Sequence, residues 1–132
     1  MLRKMAREIA MQLIFQMEVH KDFSNDIINK FINNIPEGDK QITYIREVAT
    51  TFIENKDNVD RMIEDKSRGW KIDRIAKVDL SILRVSITEI FHMTEIPTNV
   101  SVNEAIELAK LFSTADSSSF INGILGSILE KN

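Results

Sequence analysis

Residues 72–93 read IDRIAKVDLSILRVSITEIFHM, and the spacing of apolar residues in this stretch decides the fold. Ile75, Val78, Ile82 and Val85 recur at steps of three and four and form one ridge, while Ala76, Leu80, Leu83, Ile87 and Ile90 form a second beside it. Two adjacent ridges of that period describe a helix buried over much of its circumference, so 72–93 is expected to be the central helix of an all-α protein. Its remaining strip, Arg74, Lys77, Ser81, Arg84 and Thr88, is polar throughout and is expected to meet solvent or a partner.

Helical spacing continues on both sides. Downstream, Pro97 closes the central segment, and Ser101 with Glu104 makes an S-x-x-E capping box that places the start of a helix burying Val102, Ala105, Ile106, Ala109 and Phe112. A Ser/Asp-rich break over 113–119 precedes a last helix carrying Phe120, Ile121, Ile124, Leu125 and Ile128, in which Gly123 and Gly126 permit close approach of another backbone. Upstream, Ile42, Ile45, Ala49, Phe52, Ile53, Val59 and Ile63 mark one long helix from near Asp39 to about Lys66, stopped by Gly69. A short helix capped by Ser24 or Asn25 buries Ile27, Ile28, Phe31 and Ile32 and ends at Pro36 and Gly38. The first helix runs from about Arg3 to Val19 on a stripe of Leu2, Ala6, Ile9, Ala10, Leu13 and Met17. Six helices result, with no sustained strict alternation that would indicate strands.

A chain of 132 residues is enough for one core, so residues 1–132 are expected to form a single domain. Hydrophobic residues at 43% and charged residues at 28% are ordinary for a soluble fold and argue against long disorder. No cysteine is present, which removes disulfides and thiolate chemistry. With no leader pattern and no apolar run near the roughly 20 residues that span a bilayer, a cytoplasmic location is expected. The net charge of −3 means that a nucleic acid would have to be met by a local basic patch.

Catalytic readings are weak. Glu89 and His92 form an E-x-x-H pair, but helical di-metal sites need two such pairs and two further glutamates, and only one other histidine, His20, exists. The phosphate loops and nucleophile elbows that glycines make are absent, because the four glycines are scattered. No catalytic residue, metal, cofactor or small-molecule substrate is expected.

Binding has more to rest on. Arg3, Lys4 and Arg7 cluster at the amino end of the first helix, and Arg3 and Arg7, four apart on one face, could straddle neighbouring phosphates. Farther along, Met11 and Phe15 fall outside the main apolar stripe, and an exposed Phe15 beside arginines would be a stacking platform for an unpaired base. A solvated helix end with Phe15 as an extra core residue accounts for the same spacing, and at this point both readings stay open.

Four stretches, in order, resemble the NusB family of transcription antitermination proteins over essentially the whole chain. They are Ala6-Arg7-Glu8 with Ala10, Gln12 and Phe15; the run from Asp73 to Val85; the run from Ile96 to Lys110; and Phe120-Ile121-Asn122-Gly123-Ile124-Leu125, which is similar to the family's closing F-[IV]-N-G-[IV]-L signature. Much of this likeness concerns core positions, so it speaks to fold more directly than to activity.

The resemblance implies a six-helix fold of two packed three-helix halves. It further implies a protein that pairs with NusE, a small-subunit ribosomal protein, binds boxA in nascent RNA, and so acts indirectly on the elongating RNA polymerase. By the same resemblance, the RNA-facing residues are Arg3, Lys4, Arg7 and Phe15, with the loop containing Ser113 and Asp116 and its flanks Lys110 and Ser119. Amides at Ser117 to Ser119 would suit a phosphate, or Asp116 would simply cap the helix there. The NusE surface implied along the central helices contains Trp70, Arg74, Lys77, Ser81, Arg84 and Thr88.

Met5 interrupts what in many relatives is a denser arginine run, which predicts weaker RNA affinity alone, a shallower salt dependence and heavier reliance on the partner. The rival reading is a non-catalytic protein-interaction or dimerisation module that does not bind RNA. A related helical domain precedes some rRNA cytosine methyltransferases, but the sequence lacks a cofactor loop for methyl transfer.

Overall fold

The computed structural model describes residues 1–130. Seven α-helices carry the fold: α1 Arg3–His20, α2 Asn25–Ile32, α3 Ile42–Glu54, α4 Lys56–Lys66, α5 Lys77–His92, α6 Thr98–Phe112 and α7 Ala115–Leu129. Among the described residues there is no strand, and no helix is long and apolar enough to cross a membrane. The expected all-α architecture is therefore found, with one helix more than expected.

The extra helix comes from Asn55. There the backbone turns to φ −118, ψ 16, and the Asn55 side chain donates to the Thr51 carbonyl at 2.8 Å, so the expected long helix becomes α3 and α4. Asn competes for backbone hydrogen bonds in this way more readily than most residues. After α4, Arg68 and Gly69 both take positive φ, at 54 and 89, and Gly69 supplies the stop foreseen for it.

The central helix is shorter than its sequence suggested. Residues Ile72–Arg74 form a single 3₁₀ turn, Ile75 and Ala76 are extended, and α5 begins only at Lys77. Glu64 accepts the Ile72 amide at 2.8 Å and ties this turn to α4, which pulls the chain off the helical path. The capping box is also corrected. α6 starts three residues before Ser101, at Thr98 after Pro97, leaving Ser101 inside the helix with its hydroxyl donated to Glu89 at 2.7 Å. The glycines of α7 meet no other backbone: nothing lies within 4 Å of a Cβ built on Gly123 or Gly126.

α5 lies at the centre and packs against α1, α3, α4, α6 and α7. α2 packs on α1 and α3 at one side of α5, and α6 and α7 pack on each other at another. A continuous apolar core, from Ala6 on α1 to Leu125 on α7, joins them. Every residue from Ser81 to Ile90 is buried, including the polar ones. This overturns the expectation that the strip Ser81, Arg84 and Thr88 meets solvent or a partner.

Burying that strip is possible because most of it is answered from other helices. Arg84, fully buried, donates from Nε and Nη2 to the two carboxylate oxygens of Asp60 on α4 at 2.9 Å each, and from Nη1 to Glu18 on α1 at 2.7 Å. Its guanidinium also lies 5.1 Å from the Phe52 ring centre. At the edge of this cluster, Lys21 pairs with Glu18 and Lys56 lies 3.2 Å from Asp60, so three cations face two carboxylates and the lysines carry the cluster out to solvent. Burial alone would raise the Glu18 pKa, but hydrogen bonds and charge from Lys21 and Arg84 hold it below the usual glutamate range. Ser81 returns its hydroxyl to the Lys77 carbonyl at 2.7 Å, while Thr88 Oγ1 has no partner among the described residues.

Candidate nucleic-acid interface

The first turn of α1 carries Arg3 and Lys4 and no acidic residue. Cations at a helix amino terminus add to the positive end of the helix dipole instead of cancelling it, an arrangement that costs some stability and favours an anion from outside. Lys4 is exposed and reaches only to Glu104 at 3.5 Å, a contact too open to neutralise it. Arg3 is exposed too, and the two groups it touches are uncharged. Its Nε donates to Gln41 Oε1 at 2.7 Å, and its guanidinium lies 4.2 Å from the centre of the Tyr44 ring.

Arg7, one turn further, is a different case and a correction. It is 4% exposed, and its Nε donates to Glu89 of α5 at 2.8 Å. Glu89 also accepts from the Tyr44 hydroxyl and from Ser101, so it joins α1, α3, α5 and α6 at one carboxylate. Burial, and then the neighbouring Glu89 charge, push the Tyr44 phenol far above its ordinary range, so Tyr44 acts as a donor throughout. Arg7 therefore holds helices together and cannot straddle phosphates with Arg3.

Phe15 falls between the two readings left open for it. It is half-buried and lines a crevice with Gln12, Val78 and Phe112, while Met11 beside it belongs to the core at 5% exposure. Phe112, expected to point inward, is 41% exposed and faces the same crevice. It is an aromatic that the period of α6 assigned to the core, missed because it stands in the helix's last turn.

The loop between α6 and α7 is built differently from expectation. Thr114, not Asp116, caps α7, its Oγ1 accepting the Ser117 amide at 3.1 Å, and the Ser118 amide bonds the Thr114 carbonyl at 3.1 Å. The amides of Ser117 and Ser118 are thus engaged, while the Asp116 side chain is exposed in the first turn. Ser113 is half-buried: the hydroxyls of Ser113 and Ser117 each sit 2.9 Å from one oxygen of the buried Asp79, anchoring the loop to α5. Lys110 is exposed, 3.7 Å from Glu107.

Ser119 and Trp70 were assigned to different surfaces, yet both line one groove, with Lys66, Arg68, Phe120 and Gly123. Trp70 is 54% exposed, so it is not core. Arg74, in the 3₁₀ turn, and Lys77, the first residue of α5, are exposed.

The fold and this edge together describe a helical binding scaffold: its interior charges are nearly all paired across helices, an arginine without a carboxylate partner stands at a helix start, and no cluster of three metal-ligating side chains occurs among the described residues. The NusB family model matches residues 4–130. Transcription antitermination protein NusB of Acetivibrio thermocellus is 45% identical over 97% of this chain and 88% of its own, and that of Clostridium botulinum is 44% identical over 99% and 100%. T. maritima NusB superposes with a TM-score of 0.87 at 29% identity, covering 97% of this chain and 90% of its own. In a structure of antitermination factors NusB and NusE in complex with dsRNA, a chain 19% identical matches at TM-score 0.84 over 96% of this chain and 94% of its own, a likeness of fold. The chain belongs to the NusB family, and with that it is a transcription antitermination factor and not an enzyme.

Proposed function

We propose that this chain acts in the cytoplasm, as a single domain, by pairing with NusE and binding boxA in nascent RNA, and that the complex then modifies the elongating RNA polymerase. The observation that carries the RNA part is the first turn of α1, where Arg3 and Lys4 stand exposed with no acid in that turn. Such cations contribute phosphate contacts in register, while unpaired bases stack on aromatic faces, for which Phe15 and Phe112 at the α1–α6 crevice are suited. Lys110, exposed in the last turn of α6, adds a further cation; Ser113 anchors the neighbouring loop, and Asp116 and Ser119 are exposed near the start of α7. Family membership supports the pairing, since a solved neighbour holds NusB, NusE and RNA together. For NusE, the accessible candidates are Trp70, Arg74 and Lys77.

The test is fluorescence anisotropy with boxA and scrambled RNA, alone and with NusE, on the wild type and an Arg3→Ala/Lys4→Ala variant. NusE should strengthen binding to boxA only. Losing two phosphate contacts should lower the slope of log affinity against log salt by about 1.4 for single-stranded RNA. Equal binding of boxA and scrambled RNA, or none, would remove the RNA function. The protein-interaction reading would then take over, and the exposed Leu2, Met5 and Leu111 between α1 and α6 are the surface that favours it.

A further inference from the structure

Arg3 differs from the other cations near it in being held by neutral groups of a distant helix start. Its Nε hydrogen is given to Gln41 Oε1 at 2.7 Å, and the flat of the guanidinium rests 4.2 Å from the Tyr44 ring centre. Both holders are themselves fixed. The backbone N–H of Gln41 donates to Asp39 Oδ1 at 2.9 Å, a side-chain turn that orients the residues just before α3. Tyr44 is 3% exposed and its hydroxyl is tied to Glu89, the carboxylate that also takes Arg7 and Ser101. A guanidinium has five N–H donors, and those on its Nη groups form a fork that fits phosphate oxygens. Here the one donor that is not part of the Nη fork is used, and one face is covered. Among the described residues the Nη groups take no hydrogen-bond partner.

We infer that Gln41 and Tyr44 are positioning residues that hold the Arg3 fork in place for an RNA phosphate. The inference rests on the RNA-binding reading above. A free arginine on a helix start must give up rotamer freedom when it engages a phosphate, whereas one already stacked and bonded has given up most of it in the unbound protein. Neutral holders matter here: a carboxylate in place of Gln41 would hold the side chain as well but would cancel the charge that recruits the anion.

The test compares Gln41→Ala, Tyr44→Leu, Tyr44→Phe and Arg3→Ala, each alone, and the first two also combined with Arg3→Ala. Circular dichroism monitors the fold. Two properties are read: affinity for boxA RNA in the presence of NusE, and the Arg3 Nε–H signal in nitrogen-15 NMR of the free protein. Gln41→Ala and Tyr44→Leu should each weaken RNA binding about threefold to tenfold when Arg3 is present, and add nothing when Arg3 is already alanine. Tyr44→Phe, which keeps the ring, should restore binding relative to Tyr44→Leu. The Arg3 Nε–H signal, sharp and shifted by the ring in the wild type, should broaden in Gln41→Ala, a surface change that leaves the core intact. Should Arg3→Ala weaken binding while both holder variants bind normally, the positioning role is wrong and the RNA reading stands. Equal weakening with and without Arg3 would mark a general structural effect and overturn the role. If Arg3→Ala has no effect on RNA, the RNA reading of this edge fails, and the positioning role fails with it.

Discussion

Two arginines one helical turn apart on α1 live in opposite environments. Arg7 is buried with Glu89 at 2.8 Å; Arg3 is exposed, and the groups that hold it, Gln41 and Tyr44, carry no charge. Arg84, deeper still, repeats the Arg7 pattern with two carboxylates. An arginine answered by a carboxylate has spent its charge on joining helices, and removing it leaves a buried anion behind. An arginine held by an amide and a ring keeps its charge available. In this chain, then, the partner of an arginine separates cations spent on the fold from those left available better than its position along the helix does.

The largest effect should come from Arg84→Met. It leaves buried Glu18 and Asp60 with only Lys21 and Lys56 at the solvent edge, and urea unfolding should show a loss of about 3–5 kcal/mol. Arg7→Met should cost less, about 1–3 kcal/mol, because Glu89 keeps two other donors in Tyr44 and Ser101. Arg3→Met should change stability by no more than about 0.5 kcal/mol, as expected for an exposed site. If Arg3→Met destabilised as much as Arg7→Met, the distinction between the two regions would collapse. The smallest effect tests the interior from the other side: Thr88→Val removes a buried hydroxyl that lacks a partner, and thermal unfolding should show no loss, or a gain of up to about 1 kcal/mol. A clear loss would mean that the hydroxyl is bonded in solution.

These roles explain which parts of the molecule could be read in advance. The ridges of α5 and the stripe of α1 are local periodicities, and they identified buried residues such as Leu13, Ile82 and Leu83. The polar strip of α5 misled for a physical reason. Ser81, Arg84 and Thr88 look like a wet face unless one knows that Glu18 and Asp60 wait 66 and 24 residues away. Ser101 had the spacing of a cap, but Pro97 had already started the helix, and its hydroxyl was needed by Glu89. Asn55 gave no turn signal of the Gly or Pro kind, so the break between α3 and α4 was invisible. At the candidate site, the cations of the first turn were legible from their clustering. Gln41 and Tyr44 were not, since nothing in their own neighbourhood points to Arg3, 38 and 41 residues earlier.

The long reach of the buried pairs also sets a clock on synthesis. Arg7 waits for a carboxylate 82 residues later in the chain, and Glu18 for a guanidinium 66 residues later. At elongation rates of about 5–20 residues per second that interval is roughly 3–16 s, long against the microseconds in which an isolated helix forms and melts. α1 therefore leaves the ribosome well before the helix that completes it, with the charges that will later be buried still in water. Only α5 supplies both the carboxylate that Arg7 holds and the guanidinium that Glu18 holds.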